Sequence, residues 1–140
     1  MLFRSVQFDL GGRLLDVIPT PGHEDSHIMV YDARTHILQG GDALYPGRLY
    51  FPAAQFAAFK ASVDRVVAFT KTHKVDHILS NHIEMTRTHG VDFPMRAPSH
   101  PEERELELPY GALLELQAAL AKMGATPVRQ AHDDFIIYPR

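Results

Sequence analysis

The sequence contains no cysteine. Disulfide bridges, a cysteine nucleophile and thiolate zinc sites are therefore excluded. No apolar run approaches the roughly 20 residues that a membrane-spanning helix requires. A formal net charge of only -3 at pH 7 argues against a nucleic acid or an anionic membrane as the main partner. The sequence also has no Gly-rich phosphate loop and no Gly-x-Ser-x-Gly nucleophile motif.

Nine histidines and 17 acidic residues are present instead. Without thiolates, imidazole and oxygen ligands are the only route to a tight metal site. The length of 140 residues suits one domain, so we expect residues 1–140 to form a single one. No stretch has the pattern of a signal peptide, which favours a cytoplasmic location.

Hydrophobic periodicity predicts short strands and two helices. Apolar residues recur every three or four positions through 53–72 and 109–123, the spacing of amphipathic helices. The predicted strands are 6–10, 14–18 and 28–31, one from 37 that ends in Gly40-Gly41-Asp42, one at 78–79, and a closing hairpin at Val128 and 135–138. Residues 84–108 are irregular and rich in Pro, His and charge, which suggests a functional loop. The class is therefore α/β or α+β, with helices on one face of a sheet.

Three segments place a metal-type ligand in a sharp turn after a strand. They are Thr20-Pro21-Gly22-His23, Gly40-Gly41-Asp42 and Ser80-Asn81-His82. Glycine or proline before a ligand fixes the backbone so that the side chain projects from the sheet edge. Ligands at strand ends converge in space even when they are far apart in sequence. Each motif alone is more often an ordinary turn, but their order and strand context favour a site. Two imidazoles and a carboxylate suit zinc, iron or manganese.

The order of these motifs resembles the later motifs of the metallo-β-lactamase superfamily. The stretch Gly41-Asp42-Ala43-Leu44-Tyr45-Pro46-Gly47-Arg48-Leu49-Tyr50, with His82-Ile83-Glu84-Met85-Thr86, is similar to one hydrolase subgroup of it. The resemblance implies that His23 binds a first metal, that Asp42 bridges both metals at the catalytic centre, and that His82 binds the second. It implies the carboxy-terminal half of an αββα sandwich, with one mixed sheet and helices on one face.

The family's first metal-binding motif, His-x-His-x-Asp-His, is missing. No two histidines are separated by a single residue, and the closest imitation, His73-Lys74-Val75-Asp76-His77, is better interpreted as a solvated helix end. We therefore expect the chain to begin near the midpoint of the fold. The resemblance implies an intact enzyme with two zinc ions that hydrolyses an ester, thioester, lactone or similar bond. We expect this chain alone to bind metal weakly or not at all and to turn over nothing.

Three further residues follow the ligands closely. Tyr45, Arg48 and Glu84 are candidates to line a substrate pocket, and the equally open alternative is one aromatic packing residue and two surface charges. His27 is either a partner of the metal ligands or simply a half-buried histidine. Half of the fold would leave one sheet face uncovered, so we expect a homo-oligomer or a missing amino-terminal half as partner. The alternative function is a non-catalytic binding or oligomerisation module.

Overall fold

The computed structural model describes residues 5–140, and the predicted alternation of strands and helices is observed in it. The elements in chain order are β1 Val6–Asp9, β2 Leu14–Pro19, β3 Ile28–Asp32, β4 Ile37–Gln39, β5 Arg48–Phe51, a 3-10 turn Ala53–Gln55, α1 Phe56–Thr70, β6 His77–Leu79, α2 Tyr110–Lys122, β7 Gln130–Ala131 and β8 Ile136–Pro139. Between β6 and α2, the described chain forms isolated bridges but no helix or extended strand.

The strands form two mixed sheets. The larger has the order β1-β2-β3-β4-β6, in which only β4 and β6 are parallel. The smaller has the order β5-β8-β7, in which β5 is parallel and β7 antiparallel to β8. The mixed α/β class is confirmed, but the single sheet that we predicted is in fact two sheets. Strand β5 was not predicted. The first strand of the closing hairpin is Gln130–Ala131, whereas we predicted it at Val128, which is exposed and lies outside the strand.

One face of the large sheet is buried under the two helices. It carries Ile18, Tyr31 and Leu38, which are at most 2% exposed. The predicted apolar stripe of α1 faces this core, and Tyr31 contacts Phe69 of α1 edge to face with ring centroids 5.4 Å apart. Phe59 of α1 stacks on Phe51 of β5 at 4.5 Å, which joins the small sheet to the same core. Both sheets and both helices therefore share one hydrophobic cluster.

The opposite face of the large sheet, which we call the outer face, has no element packed on it among the described residues. Its apolar side chains are all partly or largely exposed. They are Val6, Phe8, Leu15, Val17, Ile28, Val30, Ile37 and Leu79, which share one side of the sheet by strand register. At its rim the Nε of Arg13 donates to Asp32 at 3.0 Å, and this hydrogen bond lowers the pKa of Asp32 to about 2.

No helix in the described part of the chain has the length and apolar character needed to cross a membrane.

Candidate metal site

The topology of the large sheet brings three strand ends to one edge. Strands β2 and β4 both run antiparallel to β3, and β6 runs parallel to β4. The carboxyl ends of β2, β4 and β6 therefore lie at the same edge. His23, Asp42 and His82 follow those three ends, so the structure brings together the three residues that the sequence singled out as ligands.

Asp42 lies between the two histidines. Its Oδ2 is 3.7 Å from Nε2 of His23, and its Oδ1 is 2.9 Å from Nε2 of His82. The side chains of His23 and Asp42 are 17% and 30% exposed, whereas that of His82 is 55% exposed. Although it is close to His82, Oδ1 of Asp42 is buried and accepts no hydrogen bond. A buried carboxylate oxygen without a donor is costly unless another cation or donor reaches it.

The loop that carries His23 is held by α1 and β5. The Nδ1–H of His23 donates to the Tyr50 carbonyl at 2.7 Å, which leaves Nε2 on the side of the ring that faces Asp42. Ligand histidines usually have such a partner for the other ring nitrogen. Gly22 has a positive φ of 143°, and a Cβ there would lie 2.5 Å from Cα of Phe59. Only glycine allows the loop to lie this close to the helix.

His27 fixes the main chain of Asp42. The Asp42 N–H donates to Nε2 of His27 at 3.0 Å, so the proton of the neutral ring is on Nδ1, which lies 2.7 Å from Oγ1 of Thr20. Burial, followed by the nearby His23, lowers the pKa of His27 and keeps this ring neutral. His27 therefore connects the turn after β4 with the end of β2. This contact with a predicted ligand agrees with the first of the two alternatives given for His27 in the sequence.

We expect Gly41→Ala to destabilise the chain by about 1–3 kcal/mol, measured by denaturant unfolding. Gly41 has a φ of +56°, and an added Cβ would lie 2.5 Å from Nε2 of His27. The matched control is Gly111→Ala in α2, where a Cβ meets nothing within 4 Å and alanine favours the helix. Equal stability of wild type and Gly41→Ala would contradict the role assigned to the His27 contact.

The side chains of Tyr45, Arg48 and Glu84 all contact other residues of the protein. Tyr45 is buried, its hydroxyl donates to the Arg48 carbonyl, and its ring contacts that of His82 edge to face at 5.3 Å. Arg48 is 6% exposed and donates to Asp92 at 2.7 Å and to the Phe93 carbonyl at 2.9 Å. The pocket-lining role of these three residues stays a prediction, and the contacts favour packing for Tyr45.

Arg48 and Glu84 form a charged network rather than two separate surface charges. Oε2 of Glu84 accepts the Arg48 N–H at 2.7 Å, and Oε1 lies 3.4 Å from the guanidinium. Burial lowers the pKa of Arg48, but the hydrogen bond to Asp92 and the attraction of Glu84 outweigh it, so the pKa is raised overall. Asp92 was not singled out by the sequence, because nothing in its local pattern indicates a partner 44 residues away.

The other histidine-rich segment does not join this site. His73 stacks on Phe69 with ring centroids 3.8 Å apart, Asp76 pairs with His36 at 2.8 Å, and His77 pairs with Glu107. These contacts agree with its interpretation as a solvated helix end.

The donor chemistry at the edge fits a metal centre, but the set is incomplete. The free Nε2 of His23, the orphan Oδ1 of Asp42 and the adjacent Nε2 of His82 are suitable donors. However, the described residues include no group of three or more His, Asp or Glu side chains arranged around a single ion position. Asp42 lies between the two imidazoles, so each of its carboxylate oxygens is next to one imidazole nitrogen.

Comparison with known proteins finds similarity over part of their length. No family model matches the sequence. Over 94 residues, or 66% of this chain, it is 29% identical to the acyl-coenzyme A thioesterases MBLAC2 of Bos taurus and Homo sapiens, and it spans 33% of their length.

Solved structures show the same partial match. The chain is similar to a metallo-β-lactamase from Pontibacter korlensis, with a TM-score of 0.53 and 16% identity, covering 85% of this chain and 46% of that one. It is also similar to an archaeal metallo-β-lactamase superfamily protein from Sulfolobus tokodaii, with a TM-score of 0.50 and 16% identity, covering 89% and 40%. The resemblance predicted from the sequence is thus confirmed, and the chain carries part of the metallo-β-lactamase fold.

Proposed function

We propose that this chain is the part of a dinuclear metal-dependent hydrolase that supplies the bridging carboxylate and one imidazole for each ion. The observation that carries the proposal is the imidazole, carboxylate, imidazole arrangement of His23, Asp42 and His82 at one sheet edge, with Oδ1 of Asp42 buried and without a donor. Zinc suits these ligands best, and iron or manganese accepts the same donors.

The chain's own residues prepare the site. His23, Asp42 and His82 would hold the ions, which would supply Lewis-acid polarisation of the bond under attack and a lowered pKa for water. His23 is oriented by the Tyr50 carbonyl, and Asp42 is oriented through its main chain by His27. The ring of Tyr45 packs edge to face against that of His82. Ligand orientation of this kind is set before an ion binds, because each contact is made within the protein.

A thioester is the substrate class that the comparisons favour. The MBLAC2 relatives are thioesterases, and the similarity extends over 66% of this chain. An ester or a lactone presents the same carbonyl carbon to the attacking hydroxide and remains within the proposed class.

The chain by itself is expected to be inactive. With about two ligands from this chain, each ion has fewer than the three or four of a tight zinc site. Titration of the isolated chain with zinc against a chromophoric chelator of micromolar affinity should therefore show no stoichiometric retention. One or two equivalents held by the isolated chain would contradict this expectation.

Complementation tests the proposal directly. A separately produced polypeptide that carries the His-x-His-x-Asp-His motif of this fold is mixed with the chain and zinc, and thioesters, esters and lactones are assayed. We expect hydrolysis only when the chain, the second polypeptide and the metal are all present, and we expect a chelator to abolish it.

The alternative function is a non-catalytic binding module that keeps the scaffold. The exposed outer face favours it, whereas the converging ligands favour the enzyme. Complex formation with no hydrolysis and no metal uptake would decide for the module.

A further inference from the structure

We propose that Ser62 and Ser80 are positioning residues of the candidate metal site, and that each holds a different part of it. Both serines act through a hydroxyl that donates to the main chain of a loop that carries ligands. The consequence for catalysis rests on the proposed function. The contacts themselves lie entirely within this chain, so their effect on the ligands can be measured without metal.

Ser62 of α1 anchors the loop of His23. Its hydroxyl donates to the Pro21 carbonyl at 2.7 Å, two residues before the imidazole, and the serine is 2% exposed. Ser62 lies one helical turn after Phe59, against which Gly22 packs, so one face of α1 contacts the loop twice. A carbonyl that loses its donor inside the protein must find water or another donor. Removal of the hydroxyl is therefore expected to shift the loop.

Ser80 anchors the turn that carries Asp42. The N–H of Gly40, at the start of the turn, donates to the Leu79 carbonyl at 2.7 Å. The carbonyl of Leu44, at the end of the turn, accepts from the Ser80 hydroxyl. A Cβ at Gly40 would lie 2.7 Å from Oγ of Ser80, so the serine touches both ends of the turn. Two consecutive residues, at the end of β6 and just after it, thus hold the turn at its two ends.

The two anchors belong to different parts of the site. His82 follows Ser80 by two residues, so the turn of Asp42 and the imidazole of His82 form one connected unit, in which Oδ1 and Nε2 are 2.9 Å apart. His23 lies on the loop that α1 holds, and its Nε2 is 3.7 Å from Oδ2 of Asp42. Loss of one serine hydroxyl is therefore expected to displace one imidazole and to leave the other in place.

The test is a nuclear magnetic resonance measurement on the metal-free chain at one fixed pH. The Cε1–Hε1 resonances of the two imidazoles are assigned with His23→Gln and His82→Gln. Ser80→Ala should shift the His82 resonance by more than its linewidth and leave that of His23 unchanged, and Ser62→Ala should do the reverse. The two variants lose the same kind of hydrogen bond, so each is the matched control for the other. A general loosening of the fold would not produce this selectivity.

Conservative variants show whether the hydroxyl itself is responsible. Ser80→Thr and Ser62→Thr keep the hydroxyl and should leave the resonances close to their wild-type positions. Cysteine, whose thiol donates only weakly, replaces alanine at a position where the alanine variant fails to fold. Resonances that stay in place in both alanine variants, or that both move in one of them, overturn the proposal. A threonine variant that shifts as far as its alanine counterpart overturns it as well.

The same variants have an expected effect on the complemented enzyme. Because a misplacement of about 1 Å can cost roughly a hundredfold in rate, each alanine variant should lower kcat about tenfold or more with little change in KM. An unchanged kcat in an active complex would overturn the positioning role alone. Failure of complementation with the wild-type chain would instead end the proposed function, while the resonance measurement, which needs neither metal nor hydrolysis, still decides the role of the two serines.

Discussion

Asp42→Asn is expected to lower the rate of hydrolysis by the complemented enzyme at least about a thousandfold. The loss of a bridging carboxylate would remove several kcal/mol of transition-state stabilisation that the metal ions supply, and each 1.4 kcal/mol is tenfold in rate. Asparagine keeps the size of the side chain, but it is neutral and has only one oxygen. The main-chain hydrogen bond from residue 42 to His27 does not involve the side chain, so the turn should be preserved. The measurement is the initial rate at saturating zinc.

The control for this prediction is Asp25→Asn. Asp25 is exposed in the same loop as His23 and provides the same loss of charge near the site. It should leave the rate within a few fold of wild type. Binding of the second polypeptide is measured for both variants, so that failure to assemble is separated from failure to catalyse. Asp42→Asn with nearly full activity would show that the carboxylate holds no ion and would end the proposed function.

Arg48→Met is expected to reduce the free energy of unfolding by about 3 kcal/mol or more, because removing one partner of a buried ion pair leaves the others uncompensated. Arg48 contacts Asp92 at 2.7 Å, Tyr50 at 2.8 Å and Glu84 at 3.4 Å. Asp92 and Glu84 are only 25% and 21% exposed, so water replaces the guanidinium poorly. Chemical denaturation followed by circular dichroism measures the change.

Arg34→Met is the matched control for Arg48→Met. Arg34 is exposed in the turn after β3, and a surface substitution of this kind usually changes stability by less than about 0.5 kcal/mol. The same pair of variants tests the pocket-lining role of Arg48. If Arg48→Met folds with unchanged stability and only raises KM in the complemented enzyme, then the guanidinium serves the substrate rather than the scaffold.

The convergence of His23, Asp42 and His82 could be predicted because its signals are local. Gly22 and Gly41 each adopt a positive φ directly before His23 and Asp42. The glycines that allow these sharp turns are therefore visible in the sequence beside the two residues. The amphipathic spacing of α1 was equally local, and its stripe is buried as predicted. Strand direction then places the ligands at one edge without further information.

The second sheet could not be predicted because its signals are distant. Strand β5 begins with a buried arginine, which breaks the usual alternation of apolar and polar residues. Its pairing partner is β8, at the other end of the chain, and the partner that compensates Arg48 is Asp92 in an irregular segment. The burial of Arg48 depends on its contact with Asp92, which is too distant in the sequence for a local pattern to reveal.

The parallel pairing of β5 with β8 also sets an order of events during synthesis. Leu49 and Phe51 are fully buried in the finished protein, and the strand beside them is made only after α1, β6 and α2 have been translated. Pairings between distant segments form slowly because the intervening chain must first be confined. Until β8 has been synthesised, the apolar residues of β5 therefore lack the strand that pairs with them.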